Sequence, residues 1–280
     1  MDLNEVKIIA DSSADLLELE GINFSSAPLK ISTDETEFID NAELDIKGMT
    51  DYLASYKGAS RSSCPSPDDW LSAFGDAKYI FCIAITSGLS GSYNSACCAK
   101  EMLEEAHPDR KVCVIDSLSA GPELTLIAEK LRELILAGKD FEDTEKEISK
   151  YCQRTGLFFM LESLQNFANN GRIKPIVAKA VGLLGIRLVG KASDEGQLQP
   201  LDKCRGERKA IEAIAELLGE AGLKKGKVIL HHCFNPDAAK ALADAISKRY
   251  PQAKTEISIC RGLCSFYAEK GGLLVGYEKF

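Results

Sequence analysis

Several large classes of protein are excluded by what this sequence lacks. No apolar run approaches the ~20 residues needed to cross a bilayer. Basic charge is in deficit: 34 Lys and Arg stand against 42 Asp and Glu, a formal net charge of -8. That balance argues against nucleic acid as a partner, because phosphate binding needs a concentrated basic face. No G-x-x-x-x-G-K-[ST] loop is present, and no G-x-G-x-x-G follows the first apolar run, so the common nucleotide-binding turns are missing. No cysteine pair has Cys-x-x-Cys spacing, and Cys260 with Cys264 has no nearby His to complete a zinc set. Histidine is limited to His107, His231 and His232. His231, His232 and Cys233 are successive residues of an expected strand, where side chains alternate between faces, so they do not converge on one metal. No metal or cofactor is expected, and there is no repeat or low-complexity tract.

What is present is an ordinary globular composition, 45% hydrophobic and 27% charged over 280 residues, enough for one or two full cores. Ten cysteines are read as free thiols, because Cys82, Cys97, Cys98 and Cys113 sit inside apolar strand or helix patterns where reduced Cys acts as a small hydrophobe. The acidic start Met1-Asp2-Leu3-Asn4-Glu5 is unlike a signal peptide, and the expected location is the cytoplasm.

One pattern recurs. Apolar Val6–Ala10 runs into Asp11-Ser12-Ser13-Ala14-Asp15, apolar Tyr79–Ile85 into Thr86-Ser87-Gly88-Leu89-Ser90-Gly91-Ser92, and apolar Lys111–Ile115 into Asp116–Gly121. Helical patterns follow at about 93–106, 121–138 and 140–154. Strand, polar turn and helix in alternation predict a doubly wound parallel sheet whose strand C-terminal ends meet along one ligand-binding rim. Between the first two units lie an expected strand at Ala27–Ile31, a helix over 46–57, and a hydroxyl-rich loop from Ala59 to Ser66. A helix from Pro67 to Phe74 follows, with Ser66 as N-cap and Pro67 at the first helical position.

The pattern changes near Thr155, a candidate domain boundary. A strand is expected at Gly156–Met160, a short helix at Leu161–Ala168 stopped by Asn169-Asn170-Gly171, and weak helix over 175–184. Ile186–Gly190 and Gln197–Leu201 flank Asp194-Glu195-Gly196 as a hairpin. A helix from Arg205, a strand at Val228–Leu230, a helix from Asn235 to Lys248, and strands at Glu256–Cys260 and Gly271–Tyr277 complete the chain.

The Thr86–Ser92 turn is the richest candidate site. Glycines allow close approach, hydroxyls donate, and the helix start offers unpaired N–H groups to an anion. One reading is that Ser90 or Ser92 only caps the helix. Another is a serine esterase, since Gly88-Leu89-Ser90-Gly91-Ser92 departs from the G-x-S-x-G elbow by one residue. Such an enzyme needs a His base that the three histidines do not obviously supply. A third is a sensor of a small carboxylate or phosphate. Arg172 and Arg205, beyond the boundary, are the cations able to clamp such a group.

Asp11–Asp15, Ser62-Ser63-Cys64-Pro65-Ser66-Pro67, Ser87–Tyr93, Val114-Ile115-Asp116-Ser117 and Leu164–Ile173 together resemble, in order and over nearly the whole chain, the DegV family of bacterial fatty-acid-binding proteins. The resemblance implies an α/β protein with an N-terminal three-layer α/β/α domain (1–156, mostly parallel sheet) and a C-terminal two-layer α/β domain (157–280, mixed sheet). A long-chain fatty acid would lie in an apolar tunnel between them, its carboxylate held by Ser62 and Ser90, with Ser12, Ser63, Gly91 and Ser92 in nearby loops. It also implies that the chain is not itself an enzyme. In fatty acid kinase a separate ATP-binding subunit would make the acyl phosphate, with Arg172, Arg205 and Tyr267 placed to contact phosphate or partner. Ser62 stands where the family has Thr, Asn170 where it has the first Gly of Gly-Gly-Arg-Ile, and Tyr267 where it usually has His.

Overall fold

The computed structural model describes residues 1–179 and 185–280. β1 (Val6–Asp11) is followed by a 3-10 turn over Ser12–Ala14, then β2 (Asn23–Ala27), β3 (Lys30–Ser32) and β4 (Glu37–Ile39). The strand expected at Ala27–Ile31 is thus two strands of different sheets. Pro28 lies in the break, where it lacks an N–H to donate to a ladder. Next come α1 (Ile46–Ser55), β5 (Arg61–Ser63), α2 (Pro67–Phe74), β6 (Tyr79–Ala84), α3 (Ser92–Ala106), β7 (Lys111–Asp116), α4 (Pro122–Leu136) and α5 (Phe141–Cys152). α2 starts as its sequence predicts, in a capping box between Ser66 and Asp69 with Pro67 inside the first turn.

The second half comprises β8 (Thr155–Leu161), α6 (Gln165–Asn169), α7 (Pro175–Lys179), β9 (Ile186–Ala192), β10 (Leu198–Arg205), α8 (Glu207–Glu220), β11 (Lys225–His232), α9 (Pro236–Arg249), β12 (Gln252–Ile259), α10 (Gly262–Ala268) and β13 (Leu273–Glu278). Of the weak helix expected over 175–184, the first five residues are helical and 180–184 lie outside the described residues. Two further boundaries differ from expectation. Leu161 still belongs to the strand, and Arg205 ends β10 by pairing with Ile186 rather than starting a helix.

β2-β1-β6-β7 form an all-parallel sheet. α2 and α3 cover one face with Trp70, Phe74, Ala96 and Ala99, and α4 and α5 cover the other with Leu124, Ile127, Phe141 and Ile148, giving three layers. The second sheet, β10-β9-β8-β13-β11-β12, is mixed: β11 and β12 run parallel and the other pairs are antiparallel. α8 and α9 pack on one of its faces through Ile214, Leu218, Leu242 and Ile246. A small antiparallel sheet, β4-β3-β5, sits beside these two. Among the described residues no helix is long and apolar enough to cross a membrane.

α4 lies between the two large sheets. Seven successive residues, Pro122 to Ala128, are buried, which marks a helix with no solvent face over its first turns. Its start rests on the bare backbone of Gly276 in β13, where an added Cβ would stand 2.6 Å from the Pro122 carbonyl carbon.

Candidate functional site

The rim of the parallel sheet is organised by Asp11, the last residue of β1. Its carboxylate accepts hydrogen bonds from Ile85 N (2.8 Å), Ser92 Oγ (2.6 Å), Ser13 Oγ and Ser13 N (3.2 Å), joining the ends of two strands to the start of α3. Complete burial pushes its acid group above the ordinary carboxylate range, and these donors oppose that rise. Ser92 therefore faces the interior. Ser12 does likewise, accepting from Leu29 N at 3.0 Å. Ser63 is exposed, on the opposite side of β5 from Ser62, and Gly91 is the N-cap of α3, close to Cys64 Sγ.

Ser62 and Ser90 both line a cavity of about 90 Å³ between the parallel and mixed sheets. Ser90 Oγ accepts from Ser92 N at 3.2 Å, so it serves the helix start while facing the cavity. Ser62 is placed by β5, a strand that the sequence does not announce: Arg61-Ser62-Ser63 is extended because it pairs with β3, Ser62 standing opposite Ile31. Its N–H donates to Asn170 Oδ1 (3.2 Å), and its Oγ lies 2.7 Å from Tyr267 Oη.

Arg172 completes this polar end. Nε donates to Leu89 O (3.2 Å), Nη1 donates to Asn170 O (2.8 Å), and the guanidinium stands 5.9 Å from the centre of the Tyr267 ring. Among the described residues it meets carbonyls and an aromatic face and forms no ion pair, so its positive charge is oriented without being neutralised. Burial raises the Tyr267 phenol above its usual range, against the Ser62 hydrogen bond and the Arg172 charge, and Tyr267 is a neutral O–H at physiological pH.

Beyond these groups the lining is mainly apolar, with Thr86, Ser119 and Gln197 as its other polar residues, and comes from both halves. Leu29, Ile85 and Leu263 pack on one side, and Leu157, Phe159, Leu161, Leu198 and Leu274 on the other. The tip of the β9–β10 hairpin closes one edge. Thr86 Oγ1 donates to Gly196 O at 2.8 Å, and Gly88 passes so close that a Cβ there would be 2.7 Å from Glu195 O.

α10, which brings Leu263, Cys264, Tyr267 and Ala268 to the cavity, starts without a side-chain cap of its own. Carboxylates from the first half supply one. Asp15 Oδ1 accepts from Arg261 N (2.7 Å), and Asp40 accepts from Gly262 N (2.9 Å) and Leu263 N (2.8 Å). Burial pushes the Asp40 acid up from 3.8 to about 6, aided by the nearby Asp15 charge.

The structure thus brings Ser62, Ser90, Arg172 and Tyr267 to one cavity. Arg205 is exposed at the other end of the β9–β10 hairpin, seven residues from Leu198 and so roughly 20 Å away along the strand. Among the described residues no histidine lines the cavity. His231 Nδ1 is 2.8 Å from Asp15 Oδ2 in a buried pair, and His107 is the C-cap of α3, so neither serves Ser90 as a base in this arrangement. Asp40 and Phe159 carry no local signal in the sequence, whereas Asp11 and Thr86 open two of its polar turns. Asp11 had a signal, an acid closing an apolar strand, whereas Asp40 acts on backbone more than two hundred residues away.

Comparison with known proteins agrees with this architecture. The family model described as "Uncharacterised protein, DegV family" matches residues 5–279. A DegV domain-containing protein of Streptococcus pneumoniae is 46% identical over 276 residues, 97% of this chain and 98% of that protein. Among solved structures, a DegV family protein from Eubacterium eligens loaded with heptadecanoic acid superposes with a TM-score of 0.96 at 44% identity, covering 98% of this chain and 100% of that one. The Streptococcus pneumoniae Fatty Acid Kinase (Fak) B3 protein loaded with linoleic acid gives a TM-score of 0.96 at 45% identity, covering 98% and 99%. By sequence and by fold along its length, the chain belongs to the DegV family.

Proposed function

We propose that this protein binds one long-chain fatty acid, its tail in the apolar cavity between the sheets and its carboxylate held by Ser62 and Ser90. The observation that carries this reading is the asymmetry of the cavity: its walls are mainly aliphatic and aromatic, broken by Thr86, Ser119 and Gln197, while Ser62, Tyr267 and Arg172 meet one another and Arg172 holds the Leu89 carbonyl beside Ser90. Burial of an acyl chain contributes about 0.8 kcal/mol per methylene, so the tail supplies affinity and the polar end sets orientation. Arg172 adds a charge of the sign a carboxylate requires. The bound heptadecanoic and linoleic acids of the two similar structures support the same ligand class.

On this reading the chain is a carrier rather than a catalyst. It presents the carboxyl group to a separate ATP-binding fatty acid kinase subunit, consistent with its likeness to the Fak B3 protein. Tyr267 keeps its proton and orients Ser62, leaving activation of the carboxylate to that subunit. Arg205, exposed and away from the cavity, is a contact for the partner surface. The two domains, 1–156 and 157–280, form the walls. Mass spectrometry of denatured extracts tests the proposal: purified protein should release a fatty acid or take up added palmitate or oleate. If it does neither, the proposal is wrong.

A further inference from the structure

We infer that Phe159, laid across the bare backbone of Gly190, sets how much acyl chain the cavity accepts. The inference rests on the fatty-acid reading and assigns its specificity to a particular pair of residues. Along β8, alternation turns Leu157, Phe159 and Leu161 toward the cavity, and Phe158 and Met160 into the core beneath α8 and α9. Phe159 is the middle residue of that wall. It stands opposite Leu274 on β13 and Gly190 on β9.

A Cβ on Gly190 would collide with Phe159 Cζ and lie 2.6 Å from its Cε2. The ring therefore occupies the space that any side chain at 190 would fill. Gly190 is not among the glycines with positive φ, so backbone conformation does not demand a glycine there. What demands it is close approach, from the Phe159 ring and from Gln199 O, which lies 2.6 Å from where a Cβ would stand, beside the β10 bulge. Leaning over β9, the ring forms a low wall. Displaced from Gly190, it has to turn into the space proposed for the tail. Each methylene excluded in this way lowers affinity about fourfold, and each one newly accommodated raises it by the same factor.

The test loads wild type, Phe159→Leu, Phe159→Trp and Gly190→Ala with an equimolar mixture of saturated fatty acids of graded length, and reads bound species by native mass spectrometry. The Leu variant is expected to shift toward longer chains than wild type. The Trp and Ala variants should shift toward shorter ones, by at least fourfold in the ratio of adjacent lengths. Gly190→Ala also crowds Gln199, so if it does not fold, the two Phe159 variants decide. Folded Phe159 variants that bind fatty acid with the wild-type length distribution overturn the inference and leave the fatty-acid reading standing. Wild type that takes up no fatty acid at all overturns both.

Discussion

Asp40 offers a sharp test of how the site is held together. It is 1% exposed, and its ionised form accepts two backbone N–H groups at the start of α10, the helix that carries Tyr267 to Ser62. Desolvation and the neighbouring Asp15 nonetheless favour the protonated acid, raising it from 3.8 to about 6. Because the folded-state value lies above the unfolded one, the folded protein binds the proton more tightly. The resulting stability is fully present below about pH 4 and is lost as pH rises through 6. The size of that loss is about 3 kcal/mol, from ~1.4 kcal/mol per pH unit across the interval. Urea unfolding of wild type and Asp40→Asn at intervals from pH 4 to 7, with equal slopes, reads the difference between them. That difference removes the contributions of the other buried acids, Asp11 and Glu123, which both proteins share. Wild type should lose about 3 kcal/mol relative to Asp40→Asn across this range. A difference constant to within about 0.5 kcal/mol, or one that moves in wild type's favour as pH rises, would refute the reasoning, since even a one-unit rise of the acid would produce ~1.4 kcal/mol.

Other outcomes follow from the site. Ser90→Ala should keep the fold and weaken binding of palmitate or oleate about five- to tenfold by isothermal titration, the worth of one hydrogen bond. Tyr267→Phe removes the partner of Ser62 Oγ at 2.7 Å and should weaken binding by a similar factor, with no new pH dependence between 6 and 8. Thr86→Val leaves Gly196 O without its donor and should cost about 1–3 kcal/mol, read as faster amide exchange confined to the hairpin tip around Ser193–Gln197. Trp70→Ala, in the core between α2 and the parallel sheet, should cost about 3–5 kcal/mol in urea unfolding.

Where the chain states its own local rules, the sequence was readable. Ser66 and Pro67 announce α2, and the Asp/Ser/Gly turns after three apolar strands announce a parallel sheet and its rim. Elements made by distant partners were not readable. β5 is three hydroxyl-rich residues held extended by β3, and α10 begins with no cap except carboxylates from Asp15 and Asp40. The same holds for the site. Ser62 and Ser90 attracted attention as hydroxyls in small-residue turns, but their common cavity depends on β5, on Arg172 and on a hairpin tip that docks over Thr86. Ser12 and Ser92, equally conspicuous in sequence, turn inward to structural partners. Arg205 looked like the start of a helix because Glu207 begins a strong apolar periodicity two residues later.

The burial of α4 bears on how such a chain can be recombined. Its residues complete the core of the parallel sheet, yet its first turn rests on Gly276 and its Glu129 meets Lys227 of β11. A chimaera joining the first 154 residues of one relative to the remainder of another would inherit a helix fitted to a sheet that is no longer there. Grafting the second half onto a new first half therefore requires transplanting the inward face of α4 with it, so that this helix, rather than the chain position where the sheets change, marks the seam for exchange.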